Sequence, residues 1–519
     1  MQRRSRRLRP AGGPAIVWAP ANDAPWSGRQ LAVLLAIVVA AAALRLVNLE
    51  RWSLGDDEVT TWRGITRSLA GFFDAFSGPD GHQPLVAQTL RFLAGSGLLS
   101  FQDEARLRLP FVFAGIVAVP TIALVGKRAT GDAVFGLFAA ALLALHPWHV
   151  LTSRNALPAG VAMLFVLGAL GAMARPGTAP SRWRRVATVV AAVVAIGSHS
   201  AGWIVVPMLV VHALVARWSS YDPRERAIAS VVVAGSPFLS MLAIYWSAGP
   251  SNGPGDGANG AASDSMAHAF APFLDLASGL GGPVLLAASA AALLVRPLPA
   301  LAVFPPAAGI VATLLVAAAG VPLSAGGAVV VLPFAILPAA AACRHLSTTM
   351  GADAASRIQS WVGAAIVPGA LLVSLAVPSV LQATVYEGHR PRAADVATFL
   401  ARSAKAGRGI AVAAGALQPV LTYYLRPNHW RDETVDPHPG RRVLRIDASR
   451  PLPLLDELAA RTGEEVFVVL RRDELDLVDA DPDAKAALAS SFRLVDVEPT
   501  AFRAGRETLY VFRARTGER

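Results

Sequence analysis

Over its first three quarters the chain alternates long apolar runs with short polar or basic stretches. Six runs come first: Leu31–Leu49, Leu109–Val125, Phe135–Leu151, Ala156–Ala174, Val186–Ser198 and Trp203–Ala216. Five follow: Ala227–Trp246, Gly282–Val295, Leu298–Ala319, Ala328–Ala342 and Trp361–Ala383. A helix needs roughly 20 apolar residues to cross the hydrocarbon core, and a β-barrel would show short segments of alternating polarity instead. The pattern predicts a polytopic α-helical membrane protein with about eleven transmembrane helices. Beyond residue 384 the pattern changes. Gly409–Ala414, Arg442–Ile446, Val466–Leu470, Phe492–Val497 and Leu509–Phe512 read as strands, with helices near Ala393–Ala401 and Leu452–Arg461. Residues 384–519 are therefore expected to form a small α/β domain. The turn after Ala414 has no Gly-x-Gly-x-x-Gly pattern and supports no nucleotide site.

The charges between runs set a topology. The loops at Lys127–Arg128, Arg175–Arg185 and Arg217–Arg226 are basic, whereas Ser247–His268 contains neither Lys nor Arg. The positive-inside rule places the basic loops and the N-terminus in the cytoplasm, and the C-terminal domain outside it. The chain then reads as a multi-pass protein of the inner (plasma) membrane. Leu85–Leu99 carries Gln88 and Arg91, and a crossing there would invert every later loop. It is expected to lie along the interface, within a first external loop covering residues 50–107. Arg45 interrupts the place where a signal-peptide cleavage site would fall, so Leu31–Leu49 is read as a retained span.

Composition agrees with this reading. Of 519 residues 54% are hydrophobic and only 16% charged, with mean hydropathy +0.47; soluble proteins run near 25% charged. The net charge of +11 would suit a nucleic-acid partner. Its arginines, however, cluster as Arg3, Arg4, Arg6, Arg7 and Arg9 in a tail over residues 1–28, expected to be disordered, and otherwise punctuate the ends of apolar runs. That distribution favours anionic lipid, not nucleic acid. Cys343 is the single cysteine, so no internal disulfide can form. The remaining span, residues 29–383, forms the membrane domain.

One polar stretch needs a chemical account. After the first span comes Trp52-Ser53-Leu54-Gly55-Asp56-Asp57-Glu58-Val59-Thr60-Thr61-Trp62. Three carboxylates sit between two tryptophans at a membrane surface, where charge is costly. Either they lie in a solvated loop, or one of them takes a proton from an acceptor hydroxyl. No Walker loop, zincin helix or cysteine zinc motif is present, and neither a metal nor another cofactor is called for. His146-Pro147-Trp148-His149 spaces two imidazoles at i and i+3, which interfacial hydrogen bonding explains more simply than a metal.

The order of motifs resembles a known architecture. Arg45-Leu46 closes the first span, followed by Ser53-Leu54-Gly55-Asp56-Asp57-Glu58 and by His82-Gln83-Pro84-Leu85. Arg106-Leu107-Arg108-Leu109-Pro110 opens the second span, and His146-Pro147 with Ser153-Arg154 closes the third. This is similar to the GT-C membrane glycosyltransferases of the protein O-mannosyltransferase and aminoarabinose-transferase type (glycosyltransferase family 39 and relatives). The resemblance covers roughly residues 30–180 and continues loosely to Arg392-Ala393-Ala394-Asp395. Gln83 departs from the family's proline, and Asn155-Ala156-Leu157 lacks its glutamate and second arginine. The Arg-Tyr pair often found before the tenth span is absent around Gly326–Gly327.

The resemblance implies an inverting transfer of a sugar from a polyprenyl-phosphate donor to a lipid, glycan or protein acceptor at the outer face. Asp57 would be the general base, Glu58 would orient it or the acceptor, and Asp56, His82 and Arg154 would bind substrate. Arg154 is expected at a wet helix end, facing the same cavity as Asp57. The departures keep two other readings open. One is a catalytically silent relative serving as an envelope scaffold, and the other a lipid or sugar transporter.

Overall fold

The computed structural model describes residues 25–49, 54–66, 84–96, 104–173, 181–216, 329–353, 357–384, 393–403, 409–414, 417–425, 441–446, 465–495 and 509–514, with isolated helical positions at 224, 228 and 232. The expected spans at 282–295 and 298–319 and the helix at 452–461 lie outside them, as does most of 227–246.

Helix α1 (Gly28–Leu46) starts at a capping box in which Ser27 and Gln30 each bond the other's backbone. It ends where Val47 turns extended and Asn48 takes a left-handed φ of 54°, a conformation asparagine tolerates. Next come α2 (Asp56–Thr66), α3 (Pro84–Gly95) and α4 (Glu104–Thr130), then α5 (Ala133–Leu145), α6 (Pro147–Arg154), α7 (Pro158–Met173), α8 (Arg182–Ser198) and α9 (Val205–Ala216). Beyond them lie α10 (Leu332–Asp353) and α11 (Arg357–Thr384). Among the described residues α1 and α4 are long and apolar enough to cross a membrane, and α5 with α6 make a third candidate if a bent pair counts as one span. Helix α3 has 12 residues; at 1.5 Å each it reaches only about 18 Å, too short to cross.

The run expected as one span over Phe135–Leu151 is broken. Helices α5 and α6 meet at 60°. Pro147 has no N–H to donate and forces the residue before it out of the helical region; His146 accordingly sits at φ −75°, ψ 124°. The break frees the last carbonyls of α5, and buried side chains from other helices take them up. Arg45 bonds the Ala144 carbonyl, His149 Nδ1 lies 2.9 Å from the Leu143 carbonyl, and Ser379 bonds that of Leu145.

Small residues set the closeness of the bundle. A Cβ at Gly136 would run into the Ala123 carbonyl, and one at Gly115 into the Ser153 side chain. One end of the bundle gathers the basic residues: Lys127 lies 4.6 Å over the Trp26 ring, Arg128 bonds the Gly171 carbonyl, and Arg344 pairs with Asp132 at 2.6 Å. The start of α1, the end of α4, the start of α5 and the end of α7 therefore lie together, with α2 at the opposite end of α4.

The C-terminal region holds α12 (Ala393–Ser403), β1 (Gly409–Ala414), α13 (Leu417–Leu425), β2 (Arg441–Ile446), β3 (Glu465–Arg471), α14 (Arg472–Ala480), α15 (Pro482–Ser491), β4 (Phe492–Leu494) and β5 (Leu509–Ala514). The sheet order is β2-β1-β3-β5-β4, parallel through β3 and antiparallel from there to β4. The strand expectations hold to within about two residues at most ends, the margin usual for boundaries. One apolar core joins this domain to the membrane region: Leu54, Val59 and Trp62 of the first loop, Val86 and Leu90 of α3, Leu107 and Phe111 of α4, and Val420, Leu421, Phe467 and Val511.

Candidate functional site

The three acids mark the start of α2, and the helix start explains what one of them does. Gly55 is the N-cap, and its carbonyl accepts from the Glu58 and Val59 amides. Glu58, at the third helical position, reaches back so that its Oε2 accepts the Gly55 N–H at 2.9 Å. That is half of a capping box, the other half being lost because glycine has no side chain. Leu54 and Val59, flanking this turn, are both buried in the same core, as in a hydrophobic staple.

Glu58 does more than cap. It is 1% exposed, and Arg108 of α4 grips it with both prongs, Nε to Oε1 at 2.7 Å and Nη2 to Oε2 at 3.0 Å. The Ala156 N–H, from the link between α6 and α7, adds a bond to Oε1 at 3.0 Å. Four donors thus converge on one carboxylate. Arg108 uses its remaining nitrogen on the Leu49 carbonyl at 2.8 Å, past the end of α1. Glu58 is therefore the tie between α1, α2, α4 and the α6–α7 link, with both its oxygens engaged.

Arg154 lies elsewhere than a wet helix end. It is 2% exposed and donates from Nη1 to the carbonyls of Leu44 and Val47 at 2.8 and 2.7 Å, with Nη2 3.4 Å from that of Asn48. These are the orphan carbonyls at the end of α1, where a cation is favoured by geometry and by the helix dipole. Arg45 completes the arrangement from α1 itself. Fully buried, it donates to Ser153 Oγ at 2.9 Å and lies 2.7 Å from His149 Nδ1. His149 is thus buried and hydrogen-bonded within the bundle, and among the described residues neither ring nitrogen of the buried His146 has a partner.

Asp56 and Asp57 occupy the first two positions of α2. Among the described residues Arg45, Arg108, Arg154 and Glu58 are the buried charges of this frame. His82 lies outside the described residues.

Sequence reasoning missed Arg45 and Arg108 as members of this frame, although Arg45 could be found: an arginine inside an apolar run must have partners. It also missed Tyr424. This residue, on α13, accepts the Leu54 N–H on its hydroxyl at 2.7 Å. Burial, with the Glu104 carboxylate beside it, pushes the Tyr424 hydroxyl well above its ordinary value, so it stays protonated. Neighbouring Tyr423 packs edge-on against Trp62 of α2, ring centres 5.0 Å apart.

No protein-family model matches the chain, and no curated protein matches it. Among solved structures the chain is similar to ArnT from Cupriavidus metallidurans bound to undecaprenyl phosphate, at 14% identity over 95% of this chain and 99% of that one, with a TM-score of 0.48. It is also similar to the S. cerevisiae protein O-mannosyltransferase Pmt1–Pmt2 complex bound to the sugar donor, at 17% identity over 44% of this chain and 36% of that one, with a TM-score of 0.32. Function does not follow from likeness of fold at this level and has to come from the residues.

Proposed function

We propose that the protein is a membrane glycosyltransferase that moves a sugar from a polyprenyl phosphate to an acceptor hydroxyl or amine, with Asp57 as general base. The observation that carries this reading is the start of α2. Glu58 is consumed by four donors, so it holds the helix and leaves Asp56 and Asp57 as the acids of the stretch for proton transfer. In the reaction Asp57 takes the acceptor's proton as its heteroatom attacks the anomeric carbon. The bond from that carbon to the phosphate oxygen breaks on the opposite side, and the polyprenyl phosphate leaves with the electron pair. The configuration inverts. Negative charge grows on the departing phosphate, and a cation beside it would stabilise that charge. Asp56, Arg154 and His82 were the expected substrate contacts. Arg154, committed to the end of α1, acts here through its field and through the frame, and Asp56 and His82 remain the proposed contacts. The charge pattern of the loops supports an outer-face location.

The test is mass spectrometry of envelope glycolipids and glycoproteins from cells with and without the protein. A discrete species differing by one sugar mass, lost with the protein and restored by its expression, is the expected result. Identical profiles would favour the scaffold or transporter reading.

A further inference from the structure

We infer that Tyr424 is a positioning residue which latches the C-terminal domain onto the acid-bearing helix, an inference that rests on the reading of α2 given above.

The two N–H groups just before α2 are both tied down by side chains. Glu58 holds that of Gly55, and Tyr424 holds that of Leu54 at 2.7 Å. The second tie comes from a residue 370 positions away in sequence, so the start of α2 depends on the C-terminal domain being seated. One oxygen atom therefore ties α13 to the α2 entry.

The seat around it is apolar and specific. Tyr423 meets Trp62 edge-on at 87°, and Tyr423 and Tyr424 lie edge-on to each other with ring centres 4.8 Å apart. Leu417, Val420 and Leu421 of α13 share a buried core with Leu54, Val59 and Ile65. Such packing fixes distance but leaves a helix free to slide or rotate slightly. The Tyr424 hydroxyl adds a directional bond one residue before the N-cap, where a small rotation would re-aim positions 56 and 57 together. Proton transfer is sensitive to such errors, since misplacement by about 1 Å can cost on the order of 10²-fold.

The full-length protein in lipid nanodiscs provides the test. Tyr424→Phe keeps the ring and removes the oxygen. Hydrogen–deuterium exchange over residues 54–59 should speed up about fivefold, the worth of one lost hydrogen bond, while exchange over β3 and β5 stays as in the wild type. In cells, at matched protein level, the Asp57-dependent envelope product should fall at least about tenfold. Native mass spectrometry should show undecaprenyl phosphate bound equally by wild type and variant, because the latch aims the acid and does not hold the lipid. If Tyr424→Phe does not fold, the wild type is read instead: the Leu54 amide should be protected from exchange as a bonded N–H is, and exchange at the rate of an unstructured amide would overturn the latch. Unchanged exchange over 54–59, or an equal rise throughout the C-terminal domain, would overturn the latch; so would an unchanged product level. If the wild type fails to bind undecaprenyl phosphate, the transferase reading falls, whereas the exchange result still judges the latch.

Discussion

Replacing Glu58 by Gln removes one charge and exchanges one acceptor oxygen for an NH₂ group. The four donors on Glu58 are split two and two: Arg108 Nε and the Ala156 N–H on Oε1, Arg108 Nη2 and the Gly55 N–H on Oε2. Whichever way the amide is turned, one guanidinium N–H and one backbone N–H lose their acceptor and face a donor instead. Arg108, 1% exposed, is left as a buried cation without its counter-charge. Breaking a buried pair in this way costs about 3–5 kcal/mol, or two to three and a half decades in the population of opened protein. The assay is the rate of limited proteolysis of the full chain in detergent, which tracks that population when closing is fast. The pair itself need not stabilise the fold relative to apolar residues, so a second arm matters. Adding Arg108→Met to Glu58→Gln removes the stranded charge, and the double variant should be more stable than the sum of the single costs by at least about 1 kcal/mol. Proteolysis of Glu58→Gln at the wild-type rate would refute the tie assigned to this carboxylate.

Asp57→Asn should keep wild-type proteolysis and thermal midpoint while lowering turnover by about 10²–10⁴-fold, the reverse of the pattern at Glu58. Arg154→Ala should destabilise the chain, because four carbonyls at the end of α1 lose this donor, and Arg154→Lys should recover only part of that, as a point charge cannot match the guanidinium fork; equal midpoints for all three proteins would contradict the capping role. Gly115→Val should push α6 away from α4, since even a Cβ there overlaps Ser153, and a cost of about 1–3 kcal/mol is expected from overpacking, read as a lowered thermal midpoint. Single cysteines introduced at positions 130 and 450, after Cys343→Ser, should label from opposite sides of the membrane; labelling from one side would contradict the topology drawn from the basic loops.

What could be read from the chain depended on the range of the interaction involved. Strands β1, β3 and β5 and helix α12 were legible because alternation and local composition specify them within a few residues. The basic end of the bundle was legible as charge between apolar runs. The bend at Pro147 could have been read from the rule that the residue before proline avoids the helical region, yet hydropathy averaged over Phe135–Leu151 concealed it. The site was legible only as a list of residue types. Arg154 and Glu58 looked like solvent-facing chemistry because sequence shows charge without showing enclosure. Their true roles depend on partners 98 to 110 positions away, at Ala156, Leu44 and Asn48. Tyr424 lay beyond reach altogether, since nothing local distinguishes its tyrosine from Tyr423.

The central claim is that Asp57, held on a helix start framed by Glu58, Arg108 and Tyr424, performs base chemistry on a sugar acceptor. The most direct measurement compares envelope glycolipids and glycoproteins, by mass spectrometry, in cells that make the wild-type protein and in cells that make Asp57→Asn at the same level in the membrane. The account predicts that a species carrying one additional sugar is present with the wild type and reduced at least about 10²-fold with the variant. Equal amounts of every glycosylated species in the two strains would contradict it.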